Sequence, residues 1–393
     1  SDETHHVPDG YEADVLLRWG DPLFPDSPAF DPYQQTAAAQ ARQFGYNCDY
    51  VGFLPLESEA GQAARGLLCV NHEYTSSLLM LPDVASGYPD SMTAELCAVE
   101  MAAHGGSVVE VVLIDGRWQV KLDSPYNRRI MAMDTSMRFA GPAAGSLRLA
   151  VTSDPTGTLA SGTLNNCAGG ITPWGTYLMA EENFHGYFQG ELPEGHSESD
   201  NYQRYGVPGG WFQWGRHNAE FDISREPNAA NRFGWVVEVD ILDPESRPIK
   251  RTALGRFKHE GAESIVARDG RVVVYMGDDE RFEYVYKFVT EGRYNPDDRQ
   301  ANLNLLDRGT LYVARFGEDG DLAWLPLQHG QGPINADNGF ASQADVIIEA
   351  RRAADLLGAT PMDRPEDVEA QPDTGRAYVM LTKNSQRSAD DVN

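Results

Sequence analysis

The chain has 393 residues, 59 of them acidic and 32 basic, for a formal net charge of −27. That length can close one large core when the architecture is an all-β barrel or propeller. The charge argues against binding a nucleic-acid backbone, which needs clustered Lys and Arg to displace counterions.

An acidic surface ordinarily serves solubility. The sharper alternative is that some carboxylates are pooled around cations, which relieve their mutual repulsion. No basic-then-apolar leader and no start Met precede "SDETHHVPDGYEADVL", so Ser1 reads as an end left by processing or cloning. The longest apolar runs, such as "RVVVYM", are far too short to span a bilayer.

In chain order, "GLLCV" predicts a strand that ends in Asn71-His72-Glu73. "MTAELCAVEMAAHG", Met92 to Gly105, has helical spacing. "NNCAGGITPWGTYLMAEEN" puts Cys167 in a loop beside Gly169 and Gly170, then a strand-like run, then Glu181 and Glu182. In "RFGWVVEVDILDPESRPIKRTALGRF", Trp235, Val237 and Val239 share one face, and Asp243-Pro244 supplies a turn. "GRFKHEGAES" presents His259-Glu260 ahead of Gly261. "GRVVVYMGDDERFEYVYKFV" reads as two strands around an acidic loop carrying Asp278 and Asp279. "GTLYVARFGEDGDLAWLPL" reads as a hairpin turning at Gly-Glu-Asp-Gly. "QADVIIEARRAADLLGA", Gln343 to Ala359, has helical spacing, with Val346, Ile347, Ala350, Ala354 and Leu357 on its apolar positions. "TPMDRPEDVE" carries Arg364 and Glu366 around a proline bend, and "GRAYVMLTKN" is one more strand.

The texture is thus mostly β, with 38 Gly and 23 Pro punctuating short extended runs. Strand groups recurring roughly every 40 to 50 residues predict propeller blades, with the two helical segments as decoration. On such a scaffold several blades can deliver carboxylate-bearing strand ends to one mouth of the channel.

Each motif also has a plain structural reading. A His-Glu pair is commonly a local hydrogen-bond arrangement, and an Asp-Asp at a turn is an Asx cap. "RPED" can be an ion pair at a helix start, and a lone cysteine a small buried hydrophobe. The four cysteines, Cys48, Cys69, Cys97 and Cys167, show no CxxC pair, and a Cys48–Cys69 disulfide stays open.

Taken together, "FGYNCDYVGFLPL", "GLLCVNHEYT", "EMAAHGGSVVEV", "GTLNNCAGGITPWGTYLMAEENFHGYF", "NRFGWVVEVD", "RTALGRFKHEGA", "VVVYMGDDERFEYVYKFV" and "GATPMDRPEDVE" resemble the PhoX-type alkaline phosphatases, in order from Val7 to Asn384. The resemblance implies a six-bladed β-propeller, a single domain over residues 1–393, that hydrolyses phosphomonoesters. It implies ferric iron (Fe3+) and calcium (Ca2+) near the channel mouth. It further implies export by the twin-arginine route to a periplasmic or secreted location, small phosphomonoesters as partners, and a monomer. Members of that family continue past "SQRSADDVN", so the expectation is a propeller whose C-terminal blades are missing from this chain.

By motif match, Cys167 is the thiolate ligand to iron, since a soft sulfur suits iron and calcium takes oxygen. Glu260 and Glu366 fall on the metals closest to it. Glu73, Asp279 and one or both of Glu181 and Glu182 fall on calcium. Those two neighbours point to opposite faces of a regular strand, so joint ligation requires a turn or bulge. Arg364 clamps the phosphate with its planar fork, and Asn71 is a lesser candidate for the same task. No Ser or Thr stands out as a nucleophile, which leaves a metal-bound oxo or hydroxo oxygen. Two rivals are a calcium-dependent lactonase or arylesterase and a non-catalytic calcium-stabilised module. Neither needs an iron thiolate or a phosphate clamp.

Overall fold

The computed structural model describes residues 6–58, 62–388 and Asp391. Ser1, read as a processed or cloned end, lies outside them. Among the described residues, eighteen strands form four sheets, and none of these sheets closes on itself.

The first sheet contains Cys48–Leu56 (β1), Arg65–His72 (β2), Gly105–Ile114 (β3), Arg117–Val120 (β4) and Arg128–Ile130 (β5). β1 is the edge and largely exposed, whereas the central β2 is nearly all buried. A strand covered on both faces reads as the continuous apolar run that "GLLCV" supplies. The second sheet holds Ser136–Ala140 (β6), Leu159–Ser161 (β7), Asn166–Ile171 (β8), Tyr177–Glu181 (β9), Val236–Val239 (β10) and Ile249–Arg251 (β11), in the order β7-β6-β11-β10-β9-β8. Its β11–β6 pairing is parallel.

The third sheet is an antiparallel meander of Glu263–Val266 (β12), Arg271–Gly277 (β13), Val285–Arg293 (β14), Gly309–Phe316 (β15) and Leu322–Pro326 (β16). The acidic loop and the hairpin read from the sequence fall at the β13–β14 and β15–β16 joints. A fourth, two-stranded sheet pairs Pro365–Ala370 (β17) with Ala377–Leu381 (β18). "RPED" therefore opens a strand and not a helix.

One apolar core joins the three larger sheets, through Leu67 and Val108, Tyr177 and Trp235, and Val274 and Leu311. The segment between β9 and β10 adds a cluster of rings to it, with Tyr187 stacked on Phe212 at 4.3 Å between centroids. The first of the two predicted helical segments forms a helix over Ala94–Ala103, capped by the Thr93 side chain, that buries Cys97, Val99 and Met101. It is core rather than decoration. The second helical segment is broken: Gln343–Ile348 and Ala350–Leu357 flank Glu349, whose φ of −111° and ψ of 44° leave the helix. The Glu349 carboxylate binds Arg148 at 2.8 Å and also pairs with Arg352. Periodicity marks apolar positions and not such a corner.

All four cysteines are free thiols. Cys69 faces Gly52 across the β1–β2 ladder and Cys48 faces His72, so the open disulfide does not form. Among the described residues, no helix is long and apolar enough to cross a membrane.

Candidate metal centre

The site is assembled from strand ends. Cys167 belongs to β8 and not to a loop, at a break in register between Asn166 and Gly169. Such a bulge re-aims a side chain that a regular pleat would commit to one face. Backbone contacts hold it there. The Ala168 amide donates to the Glu260 carbonyl at 2.8 Å, and the Asn71 side-chain amide donates to the carbonyls of Cys167 and Ala168 at 2.6 and 3.0 Å. A Cβ on Gly169 would lie 2.2 Å from the Leu178 carbonyl oxygen, and one on Gly170 would lie 2.4 Å from that of Ala262. Only glycine permits this approach.

Around the thiol, donor atoms of Cys167, Glu182 and Glu260 all lie within 4.8 Å of one another, as do those of Asp49, Glu73 and Cys167. Cys167 thus belongs to both groups, and its Sγ sits 3.2 Å from Glu260 Oε1. Burial, and then the charge of Glu260 and Glu182, push the thiol far above its ordinary range. Burial likewise raises Glu182 well above a normal carboxylate, helped by Glu260 and Asp279 and opposed by Lys258. Glu260 is raised by burial and then by Asp279. Glu73 is pushed up to about 7 by burial and by Asp49.

These groups resist ionising chiefly because they are buried, and the neighbouring carboxylates add repulsion. A thiolate with hard carboxylates is the donor set that a multivalent ion completes, so the residues fit a metal.

Arg364 borders the cluster. Its backbone has φ +54°, a left-handed conformation rare outside glycine and typical of functional sites. The guanidinium grips Asp279 with two bonds, of 2.9 and 2.6 Å, and reaches Glu366 at 3.1 Å. It opens on a cavity of about 210 Å³ whose other walls include Glu182, His185, Trp211 and Lys258.

Six of the expected residues therefore meet here with Cys167: Glu73, Glu182, Glu260, Asp279, Arg364 and Glu366. Two do not face the cluster. Glu181 precedes Glu182 and points the other way, into the core. Its Oε1 accepts from Lys250 Nζ at 2.6 Å and Thr163 at 2.8 Å, and its Oε2 from the amides of Gly234 and Trp235. Period-two alternation separates the pair. Asn71 is wholly buried, and its Oδ1 accepts a short bond from the Tyr177 hydroxyl. It positions the Cys167 backbone and has no group left for phosphate.

The other flagged residues are structural. Asp278 is paired with the buried Arg351, His259 with the Gly255 carbonyl, and His72 with Ser107.

Sequence reasoning missed Asp49 and Lys258. Asp49 reads as a solvated charge on an edge strand, and no local pattern marks it. Lys258 stands directly before His259-Glu260, but its burial at the cavity is invisible in one dimension.

A sheet scaffold that gathers a buried thiol and several carboxylates beside an arginine with left-handed backbone defines a mostly β-sheet protein with a candidate cation site. The family described as Alkaline phosphatase PhoX matches residues 1–393, and the chain belongs to it. Its activity is the hydrolysis of phosphomonoesters. The chain is similar to Pseudomonas fluorescens PhoX in complex with vanadate, a transition state analogue, at 44% identity and a TM-score of 0.91, over 98% of this chain and 67% of that one. No curated protein matches the chain.

Proposed function

We propose that the phosphatase works with ferric iron and calcium, with Cys167, Glu182 and Glu260 sharing the iron side. Asp49, Glu73, Asp279 and Glu366 supply oxygens for calcium. Glu182 thereby moves from the calcium side, where its motif placed it, to the sulfur. The carrying observation is the shared reach of Cys167, Glu182 and Glu260, whose donor atoms all lie within 4.8 Å of one another. When bound, the ions supply positive charge and a nucleophile that needs no Ser or Thr.

The chain's own residues then handle the substrate. A phosphomonoester dianion approaching a net charge of −27 is repelled, and a cation cluster reverses that sign locally. Asp279 holds the Arg364 guanidinium at the mouth through Nε and Nη2, and calcium taking the Asp279 carboxylate frees that fork to match two phosphate oxygens. Lys258 Nζ, on Glu280 at 2.9 Å, adds charge to the same cavity.

The finer architecture belongs to this reading. The antiparallel meanders are blades of a six-bladed β-propeller, and the shared core makes the chain one domain. Membership of the family supports export by the twin-arginine route to a periplasmic or secreted location, as a monomer.

Elemental analysis of protein purified without chelator, alongside turnover of p-nitrophenyl phosphate, tests the metals. Iron and calcium should both be present. Active protein free of iron would sink the thiolate assignment.

A further inference from the structure

A second cavity, of about 460 Å³, opens directly off the first. The two share Trp211 and Asn183, and the second also reaches the candidate ligand Glu73. Its remaining walls are dominated by Tyr74, Leu78, Tyr88 and Phe212. Its size suits a small organic group. Among the described residues no Lys or Arg lines it, and Glu73 is the one charged side chain in its wall.

The Trp211 ring is fixed in place, although half exposed at 52%. Its amide donates to the Gly186 carbonyl at 2.7 Å, and the ring stands edge-on to His185 at 4.6 Å. A Cβ on Gly186 would lie 2.4 Å from the ring, so the indole occupies space that only glycine leaves open. The Tyr88 hydroxyl donates to the Trp211 carbonyl at 3.4 Å and joins the facing wall to it. Phe212 forms the floor, backed by Tyr187.

We propose that this cleft is the leaving-group subsite, and that it takes monoesters whose alcohol carries a flat, uncharged ring. The inference rests on the placement of phosphate beside Arg364. From that position, the ester oxygen of a bound monoester has the cleft as its adjoining space. Rigid aromatic walls present π-faces to a ring at low entropic cost. Beyond Glu73, which the proposed calcium engages, the described lining offers a second anionic group no charged side chain, so an uncharged ring is the group it fits.

Competitive inhibition by non-hydrolysable phosphonates separates binding of the ring from the reactivity of the ester. On the metal-loaded enzyme, benzylphosphonate should inhibit about tenfold more tightly than methylphosphonate, as stacking on an aromatic wall provides. In Trp211→Ala that ratio should collapse towards one, and Gly186→Ala, which displaces the ring, should reproduce the collapse. Equal inhibition by the two phosphonates in the parent enzyme, or an unchanged ratio in Trp211→Ala, overturns the subsite while inorganic phosphate still competes. Failure of inorganic phosphate itself to compete overturns the phosphate site, and this inference with it.

Discussion

At Cys167 the backbone and the side chain are held by different parts of the molecule. Asn71 fixes the carbonyls of residues 167 and 168, while Glu182 and Glu260 face the sulfur. Cys167→Ser keeps the volume and removes the soft donor, so visible colour, iron and turnover should vanish together while the fold persists. Retained iron with full turnover would overturn the assignment.

The neighbouring glutamates make a sharper contrast. Glu182→Gln should release metal with little loss of apo stability. Lys250→Ala strands the buried Glu181 charge and should cost about 3–5 kcal/mol, read as a large fall in melting temperature, with metal content per folded molecule unchanged. Arg364→Lys keeps the charge and loses the fork. Inhibition by free phosphate should weaken about tenfold, roughly 1.4 kcal/mol. Equal inhibition constants would remove Arg364 from the site.

Among the elements, the site depends on how closely β13 packs against β17. A Cβ on Gly277 would lie 2.1 Å from the Glu366 carbonyl oxygen and 2.4 Å from that of Pro365. Backbone on both sides leaves no flexible group to yield. Gly277→Ala should therefore push β17 outward and carry Arg364 and Glu366 away from Asp279. The cost in stability should be about 1–3 kcal/mol, as for other overpacked sites, with a disproportionate loss of bound metal and turnover. Wild-type metal content in this variant would show that the two strands do not set the site.

For the whole molecule, the cluster concentrates negative charge that the fold alone does not neutralise. Metal that binds only the native state adds its binding free energy to stability, so a calcium chelator should lower the melting temperature markedly. An unchanged melt would count against structural calcium.

The apo protein should also show a distinct pH dependence. Glu73, Glu182 and Glu260 all have folded pKa values raised above the ordinary 4.5, Glu73 to about 7. A raised carboxyl binds its proton more tightly when folded. Its stabilising effect is full below pH 4.5 and is lost as pH climbs through 7 and beyond. Thermal melts of chelated protein should therefore fall across that window, and loading with metal should flatten the slope. A flat apo profile would contradict the electrostatics described above.

Much of this was legible in one dimension, because the deciding signals are local. Apolar runs and turn residues place "GLLCV", the β13–β14 and β15–β16 hairpins and the "GRAYVMLTKN" strand where the structure has them. The motifs named six of the cluster's residues besides Cys167, since each pairs a carboxylate or arginine with a turn former at a strand end. What stayed hidden depends on direction and distance. Alternation along β9 sends Glu181 to Lys250 and lets Glu182 reach the sulfur just beyond the strand, a split that adjacency in sequence cannot resolve. Asn71 turned out to hold the Cys167 backbone, and Asp49 entered the cluster from an edge strand with no motif of its own. Cys167 itself needed the bulge in β8. Which side chains share a few ångströms is set by register and by the packing of strands far apart in the chain, and those exist only once the sheets have formed.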